Sequence, residues 1–250
     1  MSEVAQPWYS RETKPIMGVV GTAKDLLSLV RFQPSLLKHE NSQSTYKRME
    51  TRSQMNTGSA IETERLFLLP SRTDRDSEAF LQMLRDDGDF YIFCGVSPSE
   101  KHVMGFANYF ERTDHELCTY SIFPKQQKDK FIGYVGVHRE MEDEYEIEFY
   151  IAREYRRNGY CEEASRELIN QLFGDGVSAN GKNLFIDKLY VTTQTENEPT
   201  ISLLRKLGFR EVEDGPVMVV LGNIFEKEDN FFAHEVVKLV LTKEEFSDGN

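Results

Sequence analysis

Strand periodicity is clearest at Glu146-Ile147-Glu148-Phe149-Tyr150-Ile151, where Ile147, Phe149 and Ile151 share one face and Glu146, Glu148 and Tyr150 the other. Just downstream, Ala164, Leu168, Ile169 and Leu172 recur at helical spacing. A strand therefore passes into a helix through Tyr155-Arg156-Arg157-Asn158-Gly159-Tyr160-Cys161. Upstream, a strand over Arg65 to Leu69 precedes a helix from about Asp74 to Arg85, capped by Thr73 or Asp74, with Ala79, Phe80, Met83 and Leu84 turned inward. The spacing of Val103, Phe106, Ala107 and Phe110 predicts a second helix from about Ser99 to Arg112. Three strands follow as a meander, Glu116 to Phe123, Phe131 to Arg139 and Glu144 to Ala152, joined by short polar links. Beyond the helix come a Gly-rich break at Gly174 to Gly181 and a strand at Phe185 to Thr192. A further helix has Asn197 as N-cap, Pro199 in its first turn, apolar Ile201, Leu204 and Leu207, and Gly208 as its stop. Closing strands are expected near Phe209 to Val212 and Glu235 to Thr242. This order predicts an α/β sandwich, mostly antiparallel, with helices on its faces.

Composition bounds the picture without deciding it. With 250 residues, 39% of them hydrophobic and 12% aromatic, the chain can build a sizeable core. No run approaches a membrane span and no charged-then-apolar start suggests secretion, so a soluble, cytoplasmic protein with no membrane partner is expected. Charge is uneven: residues 1–60 carry eight Lys or Arg against five Asp or Glu, and the rest carry 22 against 37. That acidity makes nucleic acid a poor partner and a protonated amine a natural visitor, although an acidic surface is also simply a soluble one. Cys94, Cys118 and Cys161 are scattered without a CxxC, and the five histidines show no ligand spacing; reduced thiols and no metal site are expected.

Two segments divide the chain, an extension over residues 1–60 and a folded domain over 61–250. Within the extension, Asp25 to Phe32 has the pattern of a short amphipathic helix, Pro34 to Leu37 offers a second apolar contact, and Asn41 to Ala60 reads as polar linker. Gly18 to Lys24 lacks the Gly-Lys-Ser/Thr ending of a nucleotide loop and is not one.

The chemistry begins at Gly159. A helix start leaves backbone N–H groups unpaired, the helix dipole is positive there, Gly159 lets the backbone come close, and Arg156 and Arg157 add charge. Taken alone, the turn is equally an ordinary strand-to-helix connection.

Three pieces in order give a sharper signal: Thr63-Glu64-Arg65-Leu66-Phe67-Leu68, then Arg156-x-x-Gly159-x-Cys161 followed by Glu163-Ala164, then Asn197 to Phe209 with its Leu-Leu-x-Lys-Leu-Gly-Phe ending. Together, over about residues 61 to 246, they resemble the GNAT superfamily of acetyl-CoA-dependent N-acetyltransferases, nearest to the ribosomal-protein N-terminal acetyltransferases and their small-molecule-modifying relatives. The resemblance implies a GNAT-type central sheet with helices on both faces and a splayed acyl-CoA cleft. It implies acetyl-CoA as co-substrate, no metal, and a primary amine as acceptor, either a protein N-terminus or a small molecule, in a monomer or homodimer. The loop Arg156, Arg157, Asn158, Gly159, Tyr160 and Cys161 would cradle the pyrophosphate, Asn197 would contact the pantetheine arm, and the strand end Phe149, Tyr150 and Ile151 would supply a backbone oxyanion donor.

Direct transfer from a thioester to an amine asks for loss of an amine proton, a donor for the oxyanion, and a partner for the departing thiolate. Glu146 and Glu148 are the candidate bases; the same alternation also suits solvated charges on a half-exposed strand. Two departures stand out. Cys161 takes the place of the usual Gly or Ala, crowding the pyrophosphate and presenting an oxidisable thiol. Leu204 occupies the offset where many relatives carry a tyrosine acid, so the thiolate partner falls to Thr200, at the offset of a hydroxyl in the ribosomal branch; a first-turn hydroxyl bonded to backbone is the plainer role for it. The rival reading is a GNAT-fold module that binds acyl-CoA without turnover, as sensor or scaffold.

Overall fold

The computed structural model describes residues 59–89, 118–141, 144–179, 182–212, 217–222 and 231–248. The expected helix over Ser99 to Arg112, Cys94 and nearly all of the extension lie outside these residues. Strands β1 (Ile61–Glu62) and β2 (Leu66–Pro70) lead into helix α1 (Thr73–Asp86). The meander follows as β3 (Cys118–Pro124), β4 (Gly133–Met141) and β5 (Glu144–Ile151), and after a 3₁₀ turn at Arg153–Tyr155 helix α2 spans Tyr160–Phe173. A hairpin of β6 (Val177–Ala179) and β7 (Lys182–Leu184) precedes β8 (Lys188–Gln194) and α3 (Glu198–Lys206). Then come β9 (Arg210–Glu211), β10 (Val217–Gly222), β11 (Phe231–Thr242) and α4 (Lys243–Asp248).

The main sheet runs β1-β2-β3-β4-β5-β8-β11-β10, with β9 also on β11. Every pairing is antiparallel except β5 with β8. Alternation sorts the side chains into two layers. On one face Leu66, Leu68, Val135, Val137, Ile147, Leu189 and Leu239 pack with Ala164, Leu168, Ile169 and Leu172 of α2 and Ile201 and Leu204 of α3. On the other, Phe80, Met83 and Leu84 of α1 cover Phe123, Phe131 and Tyr134, and the Phe80 and Tyr134 rings meet edge to face at 5.7 Å. With α1 above and α2 below, β3 is buried along its whole length.

Several expectations shift. Helix α1 begins one residue early, at Thr73, with Arg72 in the N-cap position; the Arg72 side chain does not cap the helix, and the Arg72 backbone N–H donates to Asp76 Oδ2 at 2.9 Å. Asp76 is fully buried and also accepts from Ser121 Oγ at 2.6 Å and from Arg75, so this carboxylate fixes the helix entry on β3. The Gly-rich break holds β6, which pairs with β7 just beyond it, and these three-residue strands are too short to show a period. The strand expected from Phe185 begins at Lys188, leaving Phe185 60% exposed at the hairpin's end. Strand β10 and helix α4 were not anticipated.

Candidate active site

Strand β5 owes its place to its neighbours: residues 144–151 pair with β4 along nearly the full length, Tyr150 opposite Tyr134, Glu148 opposite Gly136 and Glu146 opposite His138. On its other side it meets β8 only at Tyr145↔Leu189 and Glu146↔Tyr190. Beyond that point the two parallel strands diverge into a wedge. Ala152 N–H bonds to Ile132 O on the β4 side at 2.9 Å, so by strand alternation Phe149 and Ile151 aim N–H and C=O into the wedge.

The wedge opens onto the turn before α2. Gly159 is the N-cap at φ 76°, a left-handed conformation that suits glycine, and no side chain caps the helix. The first-turn N–H groups of Tyr160, Cys161 and Glu162 have no acceptor within the helix, which leaves them for an anion. Arg157 has φ 64° and an exposed side chain, and Asn158 braces the turn by donating Nδ2 to Tyr155 O at 3.1 Å and Arg156 O at 3.0 Å.

Arg156 points elsewhere. Its Nε donates to Ile151 O at 3.0 Å, and its Nη2 pairs with the buried carboxylate of Asp87, which Tyr150 Oη also reaches. The guanidinium is thus matched within the protein, and the charge expected for the anion falls to Arg157. A support that sequence reasoning missed lies alongside. Glu163 accepts from Thr63 Oγ1 at 2.5 Å, Arg65 N–H at 2.7 Å and Arg65 Nε at 2.6 Å, while Arg65 Nη1 reaches Asn158 O at 2.9 Å and the guanidinium lies 4.9 Å from the Tyr160 ring centroid. Burial raises the Glu163 pKa, but these bonds outweigh it and hold the carboxyl below its ordinary range. The signal was present: Thr63-Glu64-Arg65 and Glu163 belong to the quoted motifs, and the structure joins them.

Cys161, half-buried in the first turn of α2, packs against the α2-side core, and burial pushes its thiol up to about 12. A raised thiol pKa lowers the share of thiolate, the form that oxidises most readily, in this half-buried side chain. Cys118, wholly buried in β3, is pushed to about 12 for the same reason.

The two glutamates differ. Glu146 is buried and accepts from Thr192 Oγ1 at 2.9 Å. Glu148 has a side chain 10% exposed, an Oε1 that accepts no hydrogen bond among the described residues, and His138 Nδ1 at 3.9 Å. Burial lifts its pKa from an ordinary 4.5 to about 8. Asn197 is the N-cap of α3 and donates Nδ2 to Thr193 Oγ1 at 3.1 Å. Thr200 is half-buried in the first turn of α3, and its hydroxyl has no partner among the described residues.

Comparison with known proteins agrees with this architecture. A family model described as an acetyltransferase (GNAT) domain matches residues 65–210, more than half of the chain. A GNAT-family acetyltransferase from Bacillus anthracis is 18% identical with TM-score 0.55, covering 75% of this chain and 100% of its own. A probable GNAT-family acetyltransferase from Chromobacterium violaceum ATCC 12472 is 18% identical with TM-score 0.57, covering 75% and 88%. A spermidine N-acetyltransferase from Vibrio cholerae, solved with CoA and spermine, is 16% identical with TM-score 0.52, covering 73% and 98%. At these identities the structures speak to the fold. No curated protein matches the chain. With the family model spanning α1 through β9 and both strand-to-helix turns inside it, the chain belongs to the GNAT family of acetyltransferases.

Proposed function

We propose that this chain transfers an acetyl group from acetyl-CoA directly to a primary amine. The observation that carries the reading is the wedge between β5 and β8, which exposes the backbone of Phe149 and Ile151 and ends at the uncapped start of α2. An acyl-CoA fits both ends of that track. Its pyrophosphate meets the N–H groups of Tyr160 and Cys161 with Arg157 alongside, and its thioester carbonyl meets a backbone N–H of Phe149 or Ile151. Asn197, at the start of α3, offers its side-chain Oδ1 to the pantetheine arm, its Nδ2 being held by Thr193.

Glu148 is the better base. Its carboxyl titrates near the operating pH, whereas Glu146 is held by Thr192. Thr200 is proposed to donate to the departing thiolate. Incubating the purified protein with acetyl-CoA and an amine panel of spermidine, glucosamine, free amino acids and peptides with unblocked N-termini, while following free thiol, tests the reading. An amine-dependent release of CoA is expected; the same slow release with and without every amine would refute it.

A further inference from the structure

Turning an ammonium into an amide removes two protons from one nitrogen. One leaves before attack and the other as the tetrahedral intermediate collapses, while the thiolate takes back only one. The carboxylate and the thiolate can hold one each, but a carboxylate that takes both in turn, the second on its way to the thiolate, has to be emptied between the two events. Strand β4 offers a second acceptor. Gly136 lies directly opposite Glu148 and contributes no side chain there, so β4 reaches Glu148 through its diagonal neighbours Tyr134 and His138, and His138 Nδ1 is 3.9 Å from Glu148 Oε1. Both side chains are largely enclosed, 18% and 10% exposed, and Glu148 Oε1 has no other partner among the described residues.

We propose that His138 is a positioning residue that receives the first proton from Glu148. The proton passes from the ammonium nitrogen to Glu148 Oε1 and on to His138 Nδ1: one N–H bond breaks, one Nδ1–H bond forms, and imidazole becomes imidazolium beside a restored carboxylate. A rotation of either side chain closes the 3.9 Å gap to hydrogen-bond length. Glu148 is then empty for the proton shed when the intermediate collapses, and the imidazolium beside it favours its ionised form. Among the described residues, the other titratable groups on this face have contacts of their own: Glu146 with Thr192, Tyr150 with Asp87, Lys238 with Glu144 at 2.8 Å and with the Tyr190 ring, and Tyr134 with the Tyr150 ring.

This inference rests on the proposed acetyl transfer, and its test separates the two. The carboxyl carbon of Glu148, followed by carbon-13 NMR over a pH series, should titrate about one unit higher in His138→Gln, with His138→Asn as a second variant should Gln disturb folding. An unchanged titration in a folded variant overturns the pairing whether or not the enzyme turns over. In kinetics, the rising limb of kcat should move up by a similar interval while KM for acetyl-CoA stays put, and Glu148→Gln should abolish any further effect of the His138 change. An ethylamine and trifluoroethylamine comparison adds a contrast: the His138 variant should lose about tenfold on the first, a cation at neutral pH, and little on the second, which arrives neutral. Equal losses on both would mean that His138 only supports the fold and would overturn the proposal. No turnover by wild type on any amine would instead count against the acetyl-transfer reading itself.

Discussion

At the scale of single residues, the two glutamates on one strand face have been given different work by their neighbours. Thr192 anchors Glu146, and enclosure without a donor leaves Glu148 protonated more readily. Glu148→Gln should lower kcat/KM by roughly 10²- to 10⁴-fold, the usual contribution of a positioned base, and Glu146→Gln by only a few-fold; steady-state thiol release over a pH series distinguishes them. The same shift has a sign in stability. A carboxyl whose folded pKa is raised stabilises the fold fully below its unfolded value near 4.5, and that contribution is lost as pH rises through about 8. Glu148→Gln should therefore melt higher than wild type at about pH 9, with the gap closing toward about pH 5. Cys161, its thiolate suppressed, should resist iodoacetamide at neutral pH even without CoA, as peptide mass mapping can read; rapid labelling would contradict the suppression. The alternation of Glu146, Glu148 and Tyr150 was legible in the sequence. Which glutamate is anchored was not, because Thr192 and His138 lie on strands whose register no local pattern fixes.

At the scale of elements, the phosphate-side turn is held from outside by the β1–β2 connection. That connection and α2 are tied through the three bonds that Glu163 accepts from Thr63 and Arg65, so the first and second motifs are two halves of one clamp. Because the Glu163 pKa is lowered, its contribution is present above the unfolded value and lost as pH falls through the folded one. Glu163→Gln should cost on the order of 1 kcal/mol at neutral pH, discounted for the exposed Arg65, and nothing in acid; thermal melts at the two conditions check it. Gly159→Val should weaken acetyl-CoA binding more than it lowers the melting temperature. The substitution forces a β-branched residue into φ 76°, while among the described residues the only atom near its Cβ is Arg65 Nη2 at 3.3 Å. Helices α2 and α3 were readable because periodicity, an Asn or Gly cap and a Gly stop agree. The β6–β7 hairpin and α4 are too short to show a period, and their only signals are local: Asn180-Gly181 between the two strands and the Thr242-x-x-Glu245 capping pair at the helix start.

At the scale of the whole molecule, ligand should act on the native state alone. Acetyl-CoA at 100 times its Kd should add about 2.7 kcal/mol and raise the melting temperature; no shift at millimolar ligand would contradict the site. The sandwich itself was legible because α1 and α2 each read as amphipathic and the meander as alternating. The order β5-β8-β11 was not, since it depends on a parallel crossing that sequence neighbours do not announce. That crossing has a further consequence. Only two register pairs join the backbones of β5 and β8, so the sheet carries a seam, bridged besides by the Glu146–Thr192 and Glu144–Lys238 side-chain pairs and by the core packed on α2 and α3. Amide hydrogens tell such a seam apart from woven cloth: those of Phe149 and Ile151, facing a gap, should swap for deuterium far sooner than the even-numbered neighbours laced to β4, and slow down once an extended ligand fills the gap.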